Sequence, residues 1–146
     1  MSRHEQSIVK LVKSDDVADT RSLLGEIGLI GLSDIEPIVL ASLATGEPML
    51  LIGPHGTGKS LLLTQIAEAL GLAFRHYNSS LLNFDDLVGF PLPNKDGSLE
   101  YVKTPASIWG AEAVIFDEIS RCRPDIQNKL FPIIHERRAQ GILLKD

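Results

Sequence analysis

The chain contains a single cysteine, Cys122, among 146 residues. That excludes an internal disulfide and fits a reducing compartment. No apolar run approaches transmembrane length, and Met1-Ser2-Arg3-His4-Glu5-Gln6 lacks the apolar core of a secretory signal. A basic excess is missing too. At a net charge of −5 there is no global positive field to draw nucleic acid or an anionic membrane, so any polyanion must be held by local chemistry. No internal repeat or low-complexity tract appears, and His4, His76 and His135 have no partners at metal-ligand spacing. Packing or surface roles are expected of all three. What remains is 44% hydrophobic and 23% charged, ordinary for a soluble protein and enough for one domain with a core. Cytoplasm is the default expectation.

Against that plain background stands Gly53-Pro54-His55-Gly56-Thr57-Gly58-Lys59-Ser60. It follows the apolar run Met49–Ile52 and leads into a helical pattern from Ser60 to Leu70. Strand, glycine-rich loop and helix are the context a phosphate-binding P-loop requires. Gly53, Gly56 and Gly58 are expected to let the backbone curl where a side chain would resist. The curled loop turns N–H groups inward as an anion nest, and the helix adds its unpaired N–H groups and dipole. Lys59 then reaches the β- and γ-phosphates, while the Ser60 hydroxyl offers an oxygen to Mg²⁺. The pattern arises by accident in on the order of one chain in a few hundred of this length, so a mere glycine turn is the weaker reading. Gly53, Pro54, His55, Gly56, Thr57, Gly58, Lys59, Ser60 and Leu61 are the candidate nucleotide-binding residues.

Residues 1–28 read as a partly helical lead-in with mixed charge. Ser33-Asp34-Ile35-Glu36 looks like a capping box for the next helix, with Pro37 favouring Asp34 over Ser33 as the cap. Gly46-Glu47-Pro48 ends that helix, and Gly71 closes the one after the loop. The latter helix is apolar on most sides, with Glu68 its only charge, so neighbours are expected to cover the helix. A second strand is expected over Leu72–Tyr77 and a short helix over Asn83–Gly89. Turn residues at Pro91, Pro93, Asn94 and Asp96-Gly97, beside alternating Ser98–Val102, read as an exposed hairpin or insertion at about 88–104. Thr104-Pro105 should start a short helix through Trp109, which packs. Pro132 should kink or break the helix starting at Pro124, between Leu130 and Ile133. Gly141–Leu144 looks like half of a hairpin.

Ala113-Val114-Ile115-Phe116-Asp117-Glu118 is a second apolar run, ending in two carboxylates. Continuous apolarity suits a parallel strand buried on both faces. Ligands of open α/β sheets sit beyond the carboxyl ends of such strands, so both acids should emerge beside the loop. Asp117 would hold the Mg²⁺ shell. Glu118 would orient and deprotonate a water aimed at the γ-phosphate. With Lys59, Glu118 completes the candidate catalytic pair, and Ser60 with Asp117 the candidate metal ligands. The adjacent acids argue against a small-molecule kinase, and the absence of an Asn-Lys-x-Asp motif argues against a GTPase.

The phrases Gly53–Ser60 and Phe116–Arg138 together resemble the AAA+ ATPases, specifically the MoxR and dynein-related branch. Asp117-Glu118-Ile119-Ser120-Arg121 and Glu136-Arg137 stand where that branch has Asp-Glu-Ile-Asn-Arg-Ala and a helix ending in Glu-Arg or Glu-Lys. Asp86-Leu87-Val88-Gly89 and the Gly97 hairpin resemble its helix-2 insertion, which faces the pore of a ring. The resemblance runs from about residue 28 to the end. It implies a P-loop NTPase fold, a three-layer α/β/α domain with a mainly parallel sheet. It also implies Mg²⁺-dependent ATP hydrolysis driving remodelling or maturation of a protein partner, a MoxR-like chaperone. A hexameric ring and a client of the von Willebrand factor A type come with it. Residues 29–146 would be the amino-terminal portion of such a core.

There are departures. His55 replaces a usual Pro and is expected to face solvent. Ser120 replaces the usual Asn, which bears on how Glu118 is held. The family's fourth strand, with its sensor residue, and the helical lid have no counterpart here, so the fold is expected to be an incomplete α/β core. The alternative function is accordingly a nucleotide-binding fragment or regulatory module without turnover. Cys122, between Arg121 and Arg123, is either adventitious or a reactive low-pKa thiol. Arg121, Arg123, Arg137 and Arg138 are a solvated cluster or serve a neighbouring subunit's nucleotide. Tyr101 and the loop around it grip a client only if the resemblance extends that far.

Overall fold

The computed structural model describes residues 9–10 and 22–144. The expected lead-in over 1–28 lies mostly outside them, as do His4 and the last two residues. Two compact units divide the chain at Leu70/Gly71. Among the described residues the strands pair two by two.

In the first unit β1 (Val9–Lys10) pairs in parallel with β2 (Leu51–Ile52), the shortened form of the expected Met49–Ile52 strand. Between them lie α1 (Leu23–Glu26) and α2 (Glu36–Thr45). The capping box expected from Ser33 or Asp34 does not form. Ile35 is the N-cap, with no side-chain bond, because Pro37 fixes the backbone of the first turn and starts the helix at Glu36. The Leu32–Glu36 backbone closes in tight turns instead, and the Glu36 carboxylate accepts the Leu24 N–H at 2.8 Å. Gly46 ends α2 in the left-handed region, at φ 69°.

Helix α3 (Lys59–Ala69) buries Leu62, Ile66 and Ala67. Leu62 and Ile66 pack in one cluster with Leu24, Leu29, Ile35 and Val39, and Leu51 lies against it. The other faces of α3 are not covered as expected. Leu61 and Leu70 are more than half exposed, and Glu68 is exposed as well.

The second unit is organised by β3 (Phe74–Asn78) and β6 (Ala113–Asp117), parallel in the register Phe74↔Ala113 through Asn78↔Asp117. Tyr77 and Phe116 stack across the pair at 5.7 Å. Helix α4 (Phe84–Val88) buries Phe84, Leu87 and Val88 in the same cluster. The hairpin of β4 (Phe90–Pro93) and β5 (Leu99–Val102) follows, antiparallel, with Phe90, Leu92 and Leu99 exposed.

No helix forms after Thr104-Pro105; the backbone makes turns. Ser107 folds its hydroxyl and N–H onto the Thr104 carbonyl, and the Ile108 N–H goes to Leu87 at 2.8 Å. Burial of Ile108 and that long-range bond outweigh a lone helical turn. Trp109 packs there, donating to the Val88 carbonyl at 2.7 Å.

Helix α5 (Pro124–Glu136) runs unbroken through Pro132, so no break falls between Leu130 and Ile133. Ile126, Leu130 and Ile133 are buried on one face. At about 1.5–3 kcal/mol each they offset the roughly 3 kcal/mol an interior proline costs. Arg137, at φ 55°, caps the end, and β7 (Arg138–Ala139) with β8 (Ile142–Leu143) completes the terminal hairpin.

Pro132 is exposed, so Pro132→Ala restores a helical N–H without opening a cavity. Urea titration should show stabilisation by about 1–3 kcal/mol; no gain would contradict a continuous α5. Tyr77 donates to the Ala106 carbonyl at 2.6 Å, and its burial pushes the phenol from 10.0 to about 12. The folded chain therefore keeps a proton that the unfolded chain releases, and stability falls as pH rises from about 10 through about 12. Urea midpoints across that window should fall less steeply in Tyr77→Phe.

Candidate functional site

The loop between β2 and α3 follows the expected backbone at two of its three glycines. Gly56 and Gly58 lie in the left-handed region, at φ 75° and 79°. Gly53 does not, which corrects the reading of all three. A Cβ on Gly53 would meet only ordinary contacts, Thr57 Oγ1 at 3.7 Å and Lys59 Cδ at 3.9 Å.

Two side chains close the loop on itself. Thr57 Oγ1 donates to the Pro54 carbonyl at 2.9 Å. Lys59 Nζ donates to Gly53 O at 3.0 Å and Pro54 O at 2.7 Å. His55 is exposed, as expected, and so is Leu61.

Gly58 caps α3 without a side-chain bond, and the first turn contains no acid. The Leu62 N–H bonds back to Gly58 O at 2.8 Å; helix geometry leaves the N–H groups before it without intrahelical carbonyls. An ammonium, a helix start with no acid in its first turn and left-handed glycines suit a phosphate group. Ser60 stands in that first turn with an oxygen suited to Mg²⁺.

In the second unit Asp117 ends β6 and Glu118 follows in the left-handed region, at φ 54°. Asp117 Oδ1 accepts the Glu118 N–H at 2.8 Å, and Asp117 Oδ2 lies 3.5 Å from His76 Nε2. Its carbonyl accepts the Ser79 N–H at 2.9 Å. Glu118 Oε2 sits 3.1 Å from Arg121 Nε. A short 3₁₀ turn, Ile119–Arg121, joins the acids to α5.

The structure thus gathers Gly53–Leu61 at one helix start and Asp117 with Glu118 at one strand end. Two partners were missed from sequence. His76 reaches Asp117 because residues two apart on parallel strands share a face. Arg121 reaches Glu118 at i,i+3, a spacing visible in the sequence that was absorbed into a general basic cluster. The other arginines of that cluster have local partners: Arg123 with Asp125 at 3.2 Å, Arg137 with Ile134 O and Arg138 with Gly141 O. Among the described residues no three His, Cys, Asp or Glu side chains form a metal-holding group, and no helix is long and apolar enough to cross a membrane.

Residues 48–142 match a family described as AAA domain (dynein-related subfamily). The chain is 29% identical over 110 residues to Uncharacterized protein YeaC of Bacillus subtilis (strain 168), covering 74% of this chain and 33% of that protein. It is also 29% identical over 122 residues to Replication-associated recombination protein A of the same organism, covering 84% of this chain and 24% of that protein. The chain therefore spans only 33% and 24% of the lengths of these two relatives. No solved structure matches significantly.

Cys122 is buried, and desolvation with the nearby Asp125 charge raises its thiol pKa despite Arg123. The reactive-thiol alternative is not supported. Iodoacetamide at neutral pH should alkylate native protein far more slowly than urea-unfolded protein; equal rates would contradict that burial.

Proposed function

The chain belongs to the dynein-related subfamily of AAA domains, and from that premise we propose that it binds ATP with Mg²⁺ and hydrolyses it. The observation that carries this reading is the Gly53–Ser60 loop, with left-handed Gly56 and Gly58 and the Lys59 ammonium folded over it. Lys59 exchanges the carbonyls of Gly53 and Pro54 for β- and γ-phosphate oxygens, a gain in charge complementarity. Loop and helix N–H groups hold the remaining phosphate oxygens, and these fixed dipoles are worth most where charge develops during transfer. Gly53, Pro54, His55, Gly56, Thr57, Gly58 and Leu61 supply the wall of the site.

Ser60 and Asp117 would hold Mg²⁺, which neutralises phosphate charge when bound. Asp117 suits this role, its carboxylate being oriented by the Glu118 N–H and beside His76. Glu118 orients the attacking water and takes its proton. In this proposal residues 29–146 form the amino-terminal portion of an α/β/α P-loop core.

The biological role that fits this family branch is a cytoplasmic, MoxR-like chaperone. It would act as a homo-oligomeric ring, a hexamer, and remodel or mature a protein partner of the von Willebrand factor A type. The exposed hairpin, with Phe90, Leu92 and Leu99 on its surface, is the element in this chain suited to such contact.

In full-length protein, Glu118→Gln should bind ATP as wild type does and lose on the order of 10²-fold or more in phosphate release. Lys59→Ala should lose ATP binding itself. Nucleotide binding by wild type without phosphate release would replace the hydrolase with a binding module. Unchanged turnover in Glu118→Gln would remove Glu118 from the chemistry.

A further inference from the structure

Glu118 adopts a backbone conformation that residues other than glycine take up rarely, and such strain persists only where the surroundings hold it. Here they do. Its N–H is fixed on Asp117 Oδ1 at 2.8 Å, and its carbonyl accepts the Arg121 N–H at 2.8 Å. The turn that follows is pinned again at Ile119, whose carbonyl accepts both the Cys122 N–H at 3.2 Å and Gln127 Nε2 at 2.7 Å. Cys122 and Ile126 are buried in the core of the second unit, so the far end of the turn cannot drift. The Arg121 N–H closes this turn on the Glu118 carbonyl, which brings the two residues together although Glu118 itself lies outside the 3₁₀ segment Ile119–Arg121. The backbone therefore delivers Arg121 over Glu118, with Nε 3.1 Å from Oε2.

We propose that Arg121 is a positioning residue that orients the Glu118 carboxylate for its water, an assignment that rests on the role of Glu118 given above. Arg121 is 62% exposed and Glu118 28%, so the pair adds little to folding. Its effect is on rotamers. A pair of this kind biases the carboxylate orientation about two- to fivefold. The same contact answers the departure at position 120, where Ser replaces the Asn usual in the resembling family. Glu118 is held from the residue beyond, by charge.

The test compares wild type, Arg121→Ala, Arg121→Gln and Arg121→Lys in the full-length protein, measuring ATP binding, kcat, KM and thermal melting. Arg121→Gln keeps much of the stem should the alanine variant fold poorly. Expected are a kcat about two- to fivefold lower in the Ala and Gln variants, unchanged KM and melting, and partial recovery in Arg121→Lys. The Arg121 Nε–H resonance should also shift in Glu118→Gln. Equal or higher kcat without the guanidinium would overturn the assignment. So would kcat and melting falling together without rescue by Lys, or an Nε–H resonance indifferent to Glu118→Gln. A wild-type protein that binds no ATP sinks the nucleotide reading first and this inference with it, whereas an active wild type matched by Arg121→Ala sinks only the inference.

Discussion

The parallel pairing of β3 with β6 constrains more of the second unit than any other contact. Five residues of each strand lie in register, from Phe74↔Ala113 to Asn78↔Asp117. Slipping that register by one residue would turn each side chain of a strand to the opposite face. Tyr77 would lose its stack on Phe116, and His76 would turn away from Asp117. The acids at the end of β6 are thus placed by a ladder whose own residues are mostly apolar. Packing fixes the backbone, and the backbone aims the charge.

In the first unit the loop shows a complementary economy. Its one cation is bound to carbonyls of its own loop, so Lys59 does not sit as a bare charge in a chain of net charge −5. Those neutral acceptors are weaker partners than phosphate oxygens would be. The same hydrogen bonds that order the loop are the ones a phosphate would replace.

Contiguous features were legible in the sequence, and features made by distant contacts were not. The strand, loop and helix around Gly53–Ser60 appear because glycine freedom, a single lysine and apolar runs act locally. The parallel strand at Ala113–Asp117, although half-buried rather than buried on both faces, and the hairpin at Phe90–Val102 were readable for the same reason. The turn after Thr104 was misread because the Ile108 N–H bonds to Leu87, a partner no local propensity announces. Pro132 misled because helix propensity speaks loudest for an exposed segment, whereas α5 anchors Ile126, Leu130 and Ile133 in a core. At the candidate site, the residue types were apparent but their partners were not. His76 meets Asp117 only through strand register.

Gly89 has a consequence for how the exposed hairpin can vary. At φ 90°, a Cβ there would lie 2.2 Å from the Val102 carbonyl oxygen, so the two strands are pinched together by main chain alone. That clasp is indifferent to the identities of the residues beyond it. The far end is turned by Asn94, Asp96 and Ser98 through hydrogen bonds local to the turn. The projection is therefore an interchangeable fingertip on a fixed knuckle. Its outer residues are open to rewriting for a new surface, while the knuckle tolerates only the residue without a side chain.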